Sequence, residues 1–120
     1  IDLVADVNRN VFDFALTDFA EEAQIACYAG DLRGHYDWHS DVGASEVARR
    51  RKLTMVIQLS EPDQYEGGQL QLNPAGNFLD APMERGTAIF FPSFVLHRVA
   101  PTTAGLRYSL TQWVHGNPFR

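Results

Sequence analysis

Short apolar segments separated by Gly, Pro, Asp and Asn occupy most of this chain, a pattern typical of an all-β domain. Apolar and polar or small residues alternate over 12–17, which predicts a first strand. The most continuous apolar run predicts a core strand over 53–59. Further strands are predicted over 25–28, 34–39, 69–72, 87–91, 95–99 and 107–114. Short strands at such intervals indicate a sandwich or barrel, and a jelly roll of two sheets around a cavity accommodates them.

The segments between the strands predict little helix. A helical turn is expected over residues 18–23 and a tight turn over 73–77. Residues 42–50 lack a clear period and contain Gly43, Ala44 and Ser45, so we expect a mobile loop there. Residues 115–118 are predicted to form a polar tail in which His115 is exposed.

Length and composition are those of one compact domain spanning residues 1–120. A hydrophobic content of 45% is enough for a sizeable core. No apolar run is long enough to cross a membrane, and the first residues lack the pattern of a signal peptide. The chain begins at Ile1 instead of Met, so we expect a piece of a longer protein that lacks the N-terminal helical elements of the intact molecule.

Charge and cysteine content narrow the function classes. A net charge of -5 argues against a nucleic-acid partner, because phosphate binding normally needs clustered basic residues. The one basic run, Arg49–Lys52, is interpreted as a solvated loop. The single cysteine, Cys27, excludes an internal disulfide and is expected to be a small core residue in the second strand.

A histidine and an aspartate two residues apart are the first candidate chemistry. On an extended segment the side chains of His39 and Asp41 point the same way. They provide two of the three ligands of a 2-His-1-carboxylate triad, which leaves coordination positions open on iron. The same pattern occurs at His35 and Asp37, and on a continuous strand all four side chains would share one face. Strand register alone therefore does not choose between the two pairs.

A second histidine and an arginine, much further along the chain, add to this candidate site. His97 lies in an apolar stretch after the predicted strand 87–91, a position typical of a metal ligand or a catalytic residue. Arg107 follows ten positions later, at the start of the last predicted strand. If Arg107 points inward it needs a partner, since an unpaired buried charge is costly. Its planar guanidinium suits an anionic ligand with a carboxylate, although a distant Asp or Glu would serve equally well.

Seven short motifs occur along the chain in the order and at the spacing of a known family. The chain resembles a 2-oxoglutarate- and Fe(II)-dependent dioxygenase of the prolyl-4-hydroxylase-like group over roughly residues 25–114. The motifs are Ala26-Cys27-Tyr28, Trp38-His39-Ser40-Asp41, residues 53–60, Glu66-Gly67-Gly68-Gln69-Leu70, Phe91-Pro92-Ser93, Leu96-His97-Arg98-Val99 and Arg107-Tyr108-Ser109-Leu110. The resemblance implies a double-stranded β-helix, a jelly-roll or cupin-like barrel.

The resemblance also implies roles for individual residues. The iron ligands at the catalytic centre would be His39, Asp41 and His97. Arg107 would bind the distal carboxylate of 2-oxoglutarate, with Tyr28 lining the pocket. Gln58 stands where some relatives have a tyrosine that touches the cosubstrate. Further lining residues on the substrate side would be Trp38, Thr54, Thr111 and Trp113, with core packing as the simpler interpretation of Trp113.

The family motif favours one of the two His-Asp pairs. Its histidine follows a bulky residue at the end of a strand, as His39 follows Trp38. The step of eleven residues from Tyr28 to His39 is also close to that of the family. We therefore interpret His35 and Asp37 as surface or channel-facing polar residues.

The implied activity is hydroxylation of an unactivated C–H bond with release of succinate and CO2. Implied cofactors are Fe(II), 2-oxoglutarate and O2, with ascorbate as a reductant. A prolyl residue in a peptide or protein is the expected substrate, and a free amino acid or another small molecule is the alternative. A catalytically silent binding domain on the same barrel, or a jelly roll with a structural metal such as zinc, remain the other interpretations. Fe(II) chemistry, no visible signal and no disulfide framework predict a cytoplasmic location. The lack of a long apolar run predicts no membrane partner.

Overall fold

A computed structural model describes residues 2–12 and 14–119 of the chain. Two antiparallel sheets of six and four strands face each other. The larger sheet has the order β1-β10-β4-β8, with β2 and β5 also paired to β10, and the smaller sheet has the order β3-β9-β6-β7. The elements are α1 (Asp2–Val7), a π-helical turn (Asn8–Phe12), β1 (Leu16–Asp18), β2 (Gln24–Ala29), a 3-10 turn (Gly30–Leu32), β3 (Tyr36–His39), α2 (Glu46–Arg49), β4 (Arg51–Gln58), a 3-10 turn (Pro62–Gln64), β5 (Tyr65–Gly67), β6 (Leu70–Asn73), β7 (Leu79–Asp80), β8 (Ala88–Pro92), β9 (Leu96–Val99) and β10 (Thr102–Gly116).

The long strand β10 organises the larger sheet. It pairs first with β5, then with β2 on one edge and β4 on the other, and ends against β1. The change of partner occurs near Gly105, whose φ is +74°. A Cβ there would lie 2.0 Å from the carbonyl oxygen of Gln64, so only glycine allows the two strands to approach this closely. The arrangement of two facing antiparallel sheets confirms the predicted jelly-roll class.

Apolar side chains form two separate cores. One fills part of the space between the sheets, and its buried members are Val56, Leu70, Ala81, Ile89, Phe91, Val95 and Val99. The other lies on the outer face of the larger sheet, where Val4 of α1 packs with Leu53 and Val114. β4 serves both cores, because its alternate side chains point to opposite faces. The polar space left between the sheets is the site described below.

The first predicted strand is largely wrong. Phe12 belongs to the π-helical turn, and ladder pairing starts only at Leu16; Asp13, which the prediction included, lies outside the described residues. The alternation arises because Phe12, Phe14 and Leu16 pack against the outer core. The helical turn predicted over 18–23 is also wrong, since Asp18 ends β1 and the backbone over 19–23 is irregular.

Three expectations about loops and burial need correction. The basic run does not form a solvated loop, because Arg51 and Lys52 begin β4. Residues 42–50 include the short helix α2, which Ser45 caps by accepting a hydrogen bond from the Ala48 N–H. Cys27 is exposed, not buried, because it lies on the outer face of β2, which α1 leaves uncovered.

The remaining predicted strands correspond to β2, β3, β4, β6, β8, β9 and β10 with shifted ends. Within the described part of the chain, no helix has the length and apolar character that a membrane span requires.

Candidate active site

His39, Asp41 and His97 meet at one end of the space between the sheets. His39 and His97 face each other across β3 and β9, and Asp41 follows β3 by two residues. The Nε2 atoms of His39 and His97 lie 3.3 and 3.2 Å from Oδ1 of Asp41. Neighbouring ligands of an octahedral ion at about 2.1 Å are about 3 Å apart. The three side chains are thus arranged to hold one metal ion on a single face.

Both imidazoles present the correct nitrogen for this purpose. Nδ1 of His39 lies 2.7 Å from the carbonyl oxygen of Asp37, and Nδ1 of His97 lies 2.8 Å from that of Val95. A carbonyl oxygen only accepts, so each Nδ1 carries a hydrogen, and Nε2 is the nitrogen that coordinates a metal once it has lost its proton. Such backbone contacts fix the orientation of a ligating ring.

Asp41 is buried, with only 8% of its surface exposed. Its Oδ2 accepts hydrogen bonds from the Thr54 hydroxyl at 2.8 Å and the Trp113 indole N–H at 3.1 Å. Burial acts to raise the pKa of Asp41, but its bonds with His39, His97 and Trp113 outweigh burial and hold that pKa far below its usual range. The carboxylate is therefore ionised, as a metal ligand requires.

A bulge in β3 separates the two His-Asp pairs. Tyr36 pairs with Val99 and His39 with His97, so β3 has one residue more than β9 between these positions. Tyr36 and His39 consequently share the inner face, with ring centroids 4.0 Å apart. The Asp37 side chain is 93% exposed and that of His35 48% exposed. The expectation that all four side chains share one face is wrong, because it assumed a strand without a bulge.

Arg107 lies deep in the same space and is 1% exposed. Its Nη2 donates to Oε1 of Gln58 at 2.9 Å, while Nε and Nη1 have no hydrogen-bond partner among the described residues. Burial lowers the pKa of Arg107, and the nearby Tyr65 and Tyr28 oppose that shift. Gly68 leaves room for the side chain, since a Cβ there would lie 3.2 Å from its Cδ. Two unpaired donors on a buried cation fit a carboxylate ligand.

A cavity of about 510 Å³ joins the triad to Arg107. This volume is within the range of small-molecule sites. Its wall includes the predicted residues Tyr28, Thr54, Thr111 and Trp113 beside the triad and Arg107. Gln58 does not line it, and instead supports Arg107 from behind, with its own Nε2 donating to the Pro82 carbonyl. Trp38 lies on the other face of β3, where Arg98 and Phe78 contact its ring.

Tyr36 and Arg51 also belong to the wall, and neither is predicted as a site residue from the sequence. Arg51 lies over the Trp113 ring at 3.9 Å, and its Nε donates to Glu21 at 2.7 Å. Arg51 was not predicted because it lies within the basic run Arg49–Lys52, which suggested a solvated loop. On a regular strand Tyr36, three positions before His39, would point to the opposite face. The bulge places both side chains on the inner face.

Glu21 also joins His115 to this wall. The prediction that His115 is exposed is wrong, since it is 0% exposed. Its Nδ1 accepts a hydrogen bond from the Ala20 N–H, so Nε2 donates to Glu21 at 2.9 Å. The bond from Arg51 is the main cause that lowers the pKa of Glu21, and the bond from His115 adds to it against the effect of burial.

Comparison with known proteins places this arrangement in a family context. A model of the 2OG-Fe(II) oxygenase superfamily matches residues 23–115. A PKHD-type hydroxylase of Colwellia psychrerythraea is 34% identical over 88 residues, which cover 72% of this chain and 40% of that protein. A PKHD-type hydroxylase of Parvibaculum lavamentivorans is 40% identical over 80 residues, covering 66% of this chain and 36% of that one.

Solved structures show the same similarity. A prolyl-4-hydroxylase of Pseudomonas putida superposes with a TM-score of 0.75 at 31% identity, covering 95% of this chain and 61% of that chain. A Trichoplax adhaerens prolyl hydroxylase, solved with a peptide fragment of the hypoxia inducible factor oxygen degradation domain, superposes with a TM-score of 0.77 at 25% identity. It is matched over 95% of this chain and 51% of that chain. The sequence matches span about two fifths of the length of the curated relatives.

Proposed function

Because this chain belongs to the 2OG-Fe(II) oxygenase superfamily, we propose that it forms the catalytic domain of a 2-oxoglutarate- and Fe(II)-dependent dioxygenase. The observation that carries this proposal is the combination in one cavity of a His-Asp-His cluster and a buried arginine with two unpaired donors. An iron site alone needs no buried cation. A cosubstrate with both a metal-binding end and a distant carboxylate uses both features.

In this proposal Nε2 of His39, Oδ1 of Asp41 and Nε2 of His97 hold the metal. When bound, Fe(II), O2 and 2-oxoglutarate supply the oxidising chemistry that hydroxylates an unactivated C–H bond and releases succinate and CO2. The chain contributes geometry, because two imidazoles and one carboxylate on one face leave the opposite positions free. Asp41 at the carboxylate position argues against a halogenase, where a small residue would leave room for halide.

Arg107 would bind the distal carboxylate of 2-oxoglutarate and so orient the other end of the molecule toward the metal. Tyr28 lies against it, with the guanidinium carbon 5.2 Å from the ring centroid. Gln58 would act indirectly by holding Arg107, since its amide is bonded to the guanidinium and not exposed in the cavity.

For the substrate we propose a prolyl residue in a peptide or protein. The support is the similarity to proteins named prolyl hydroxylase, one of them solved with a peptide fragment. Trp113, Thr54 and Thr111 would line the substrate side of the cavity, and Tyr36 and His39 stand at its partly exposed edge. A free amino acid or another small molecule is the alternative substrate. Ascorbate would serve as the reductant, and a reducing compartment, the cytoplasm, suits Fe(II) and the unpaired Cys27.

Succinate formation from 2-oxoglutarate tests this proposal. With Fe(II), ascorbate and a library of proline-containing peptides, the parent protein is expected to form succinate together with a peptide heavier by one oxygen. His97→Ala removes a ligand and should abolish both products. His35→Ala, which changes an exposed histidine of the other pair, should form succinate at the parent's rate.

Equal succinate formation by the parent and His97→Ala would contradict the proposal. Succinate formation without any peptide product, but with oxidation of an added free amino acid, would favour the small-molecule alternative. A protein that binds peptide in a metal-independent way and forms no succinate would instead be a silent binding domain.

A further inference from the structure

The two oxygens of the Asp41 carboxylate have different surroundings. Oδ1 faces the Nε2 atoms of His39 and His97 at 3.3 and 3.2 Å. Oδ2 points away and accepts the hydrogen bonds from Thr54 and Trp113. A carboxylate oxygen has room for about two donors, so these bonds occupy the capacity of Oδ2.

Both donors are held in place by further contacts. The Thr54 hydroxyl lies 2.9 Å from that of Ser93, and both residues are almost completely buried. Because Thr54 uses its only hydrogen on Asp41, the Ser93 hydroxyl must donate to Thr54. The carbonyl oxygen of Ser93 also accepts the backbone N–H of Asp41 at 2.9 Å. Ser93 thus holds both the Thr54 hydroxyl and the backbone of Asp41 in place.

The indole of Trp113 has no freedom to choose another acceptor. It is 8% exposed, and its ring lies below the Arg51 guanidinium, which is itself bound to Glu21. An indole N–H only donates, and Oδ2 of Asp41 is the acceptor it reaches. Losing that acceptor would leave a buried donor unpaired.

A carboxylate that binds a metal through both oxygens occupies one position more than a carboxylate that binds through one. We propose that Thr54 and Trp113 are positioning residues that restrict Asp41 to binding through Oδ1 alone. The position that a second oxygen would take then stays free for the cosubstrate. This inference rests on the proposed function, since it concerns the same metal and the same cosubstrate.

The test compares the parent with Thr54→Val, Trp113→Phe and the double variant, each loaded with Mn(II) without oxygen. Broadening of the Mn(II) resonance by water labelled with oxygen-17 reports how many water ligands exchange. We expect about three in the parent and about two in the double variant, because freed Oδ2 takes one position. The affinity for 2-oxoglutarate, measured by titration, should fall by about tenfold in the double variant.

Thr102→Val is the matched control. Thr102 is also a completely buried threonine, but its hydroxyl has no partner among the described residues and it does not line the cavity. Its water count and 2-oxoglutarate affinity should equal those of the parent. The single variants keep the test valid if the double variant fails to fold, because each should already reduce the affinity.

Two results would contradict the inference in distinguishable ways. If the parent binds Mn(II) and 2-oxoglutarate but Thr54→Val and Trp113→Phe match it in water count and affinity, the positioning role is wrong and the proposed function stands. If the parent binds no Mn(II), the proposed function and the inference both fail.

Discussion

Arg107 is a buried positive charge whose hydrogen-bonding capacity is only partly used. Its Nη2 donates one hydrogen bond, to Oε1 of Gln58, and its other two nitrogens are unpaired within the described chain. A desolvated cation in this state destabilises a fold unless a ligand completes it. The residue therefore makes more sense as part of a binding site than as a structural element.

Arg107→Met should separate binding from stability. We expect the affinity for 2-oxoglutarate to fall by about a hundredfold, since truncating one partner of a buried charge pair costs about 2–5 kcal/mol. The free energy of unfolding without ligand should stay within about 1 kcal/mol of the parent, because the variant also removes an unpaired charge. Calorimetric titration and chemical unfolding measure the two quantities. Arg98→Met, on the outer face of the smaller sheet, is the control that should leave the affinity unchanged.

At this scale the sequence predicted the residue types well and their surroundings poorly. The triad and Arg107 could be chosen because their spacing follows a family pattern. The burial of His115 could not, because its partner Glu21 is 94 residues away in the sequence. Gln58 stands where some members of the family have a tyrosine that touches the cosubstrate, but its amide oxygen here accepts a hydrogen bond from Arg107.

Between elements, the ion pair of Arg51 with Glu21 joins the irregular segment after β1 to β4, and His115 joins both to β10. The pKa of Glu21 is lowered in the folded protein, chiefly by Arg51. A lowered carboxyl pKa contributes stability that is present above the ordinary pKa and is lost as pH falls through the folded value. The contacts thus stabilise the fold at neutral pH and weaken in acid.

Glu21→Gln should reduce the free energy of unfolding by about 1–2 kcal/mol at neutral pH, because it leaves Arg51 without its charged partner. The difference from the parent should shrink as the pH falls below the ordinary pKa of a glutamate. Unfolding in urea at several pH values measures this trend. Glu46→Gln removes an exposed carboxylate 3.9 Å from Arg49 and should change stability by less than about 0.5 kcal/mol. A Glu21→Gln deficit that grows in acid would contradict the account.

Strands with continuous apolar runs were predictable, and irregular backbone was not. β4 and β8 show their burial directly in sequence. The alternation at Phe12, Phe14 and Leu16 looks like a strand, although it reflects packing of a non-strand segment on the outer core. The bulge in β3 has no signal in the sequence, yet it decides which of two identical patterns faces inward.

Across the whole molecule, the site exists only because two sheets curve toward each other. β3 and β9 of the smaller sheet supply the histidines, and β4 and β10 of the larger sheet supply Thr54, Arg107 and Trp113. Polar side chains occupy the cavity while the adjacent apolar core fills the rest of the space between the sheets. Metal and cosubstrate are therefore expected to bind together, as ligands of one cavity.

Anaerobic titration of 2-oxoglutarate into the parent, with and without Mn(II), measures this coupling most directly. We predict that Mn(II) tightens the binding of 2-oxoglutarate by about tenfold or more, because one end contacts the metal while the other contacts Arg107. His39→Ala should lose the effect of Mn(II), and His35→Ala should keep it. If 2-oxoglutarate does not bind, or if its affinity is the same with and without Mn(II), the central claim is contradicted.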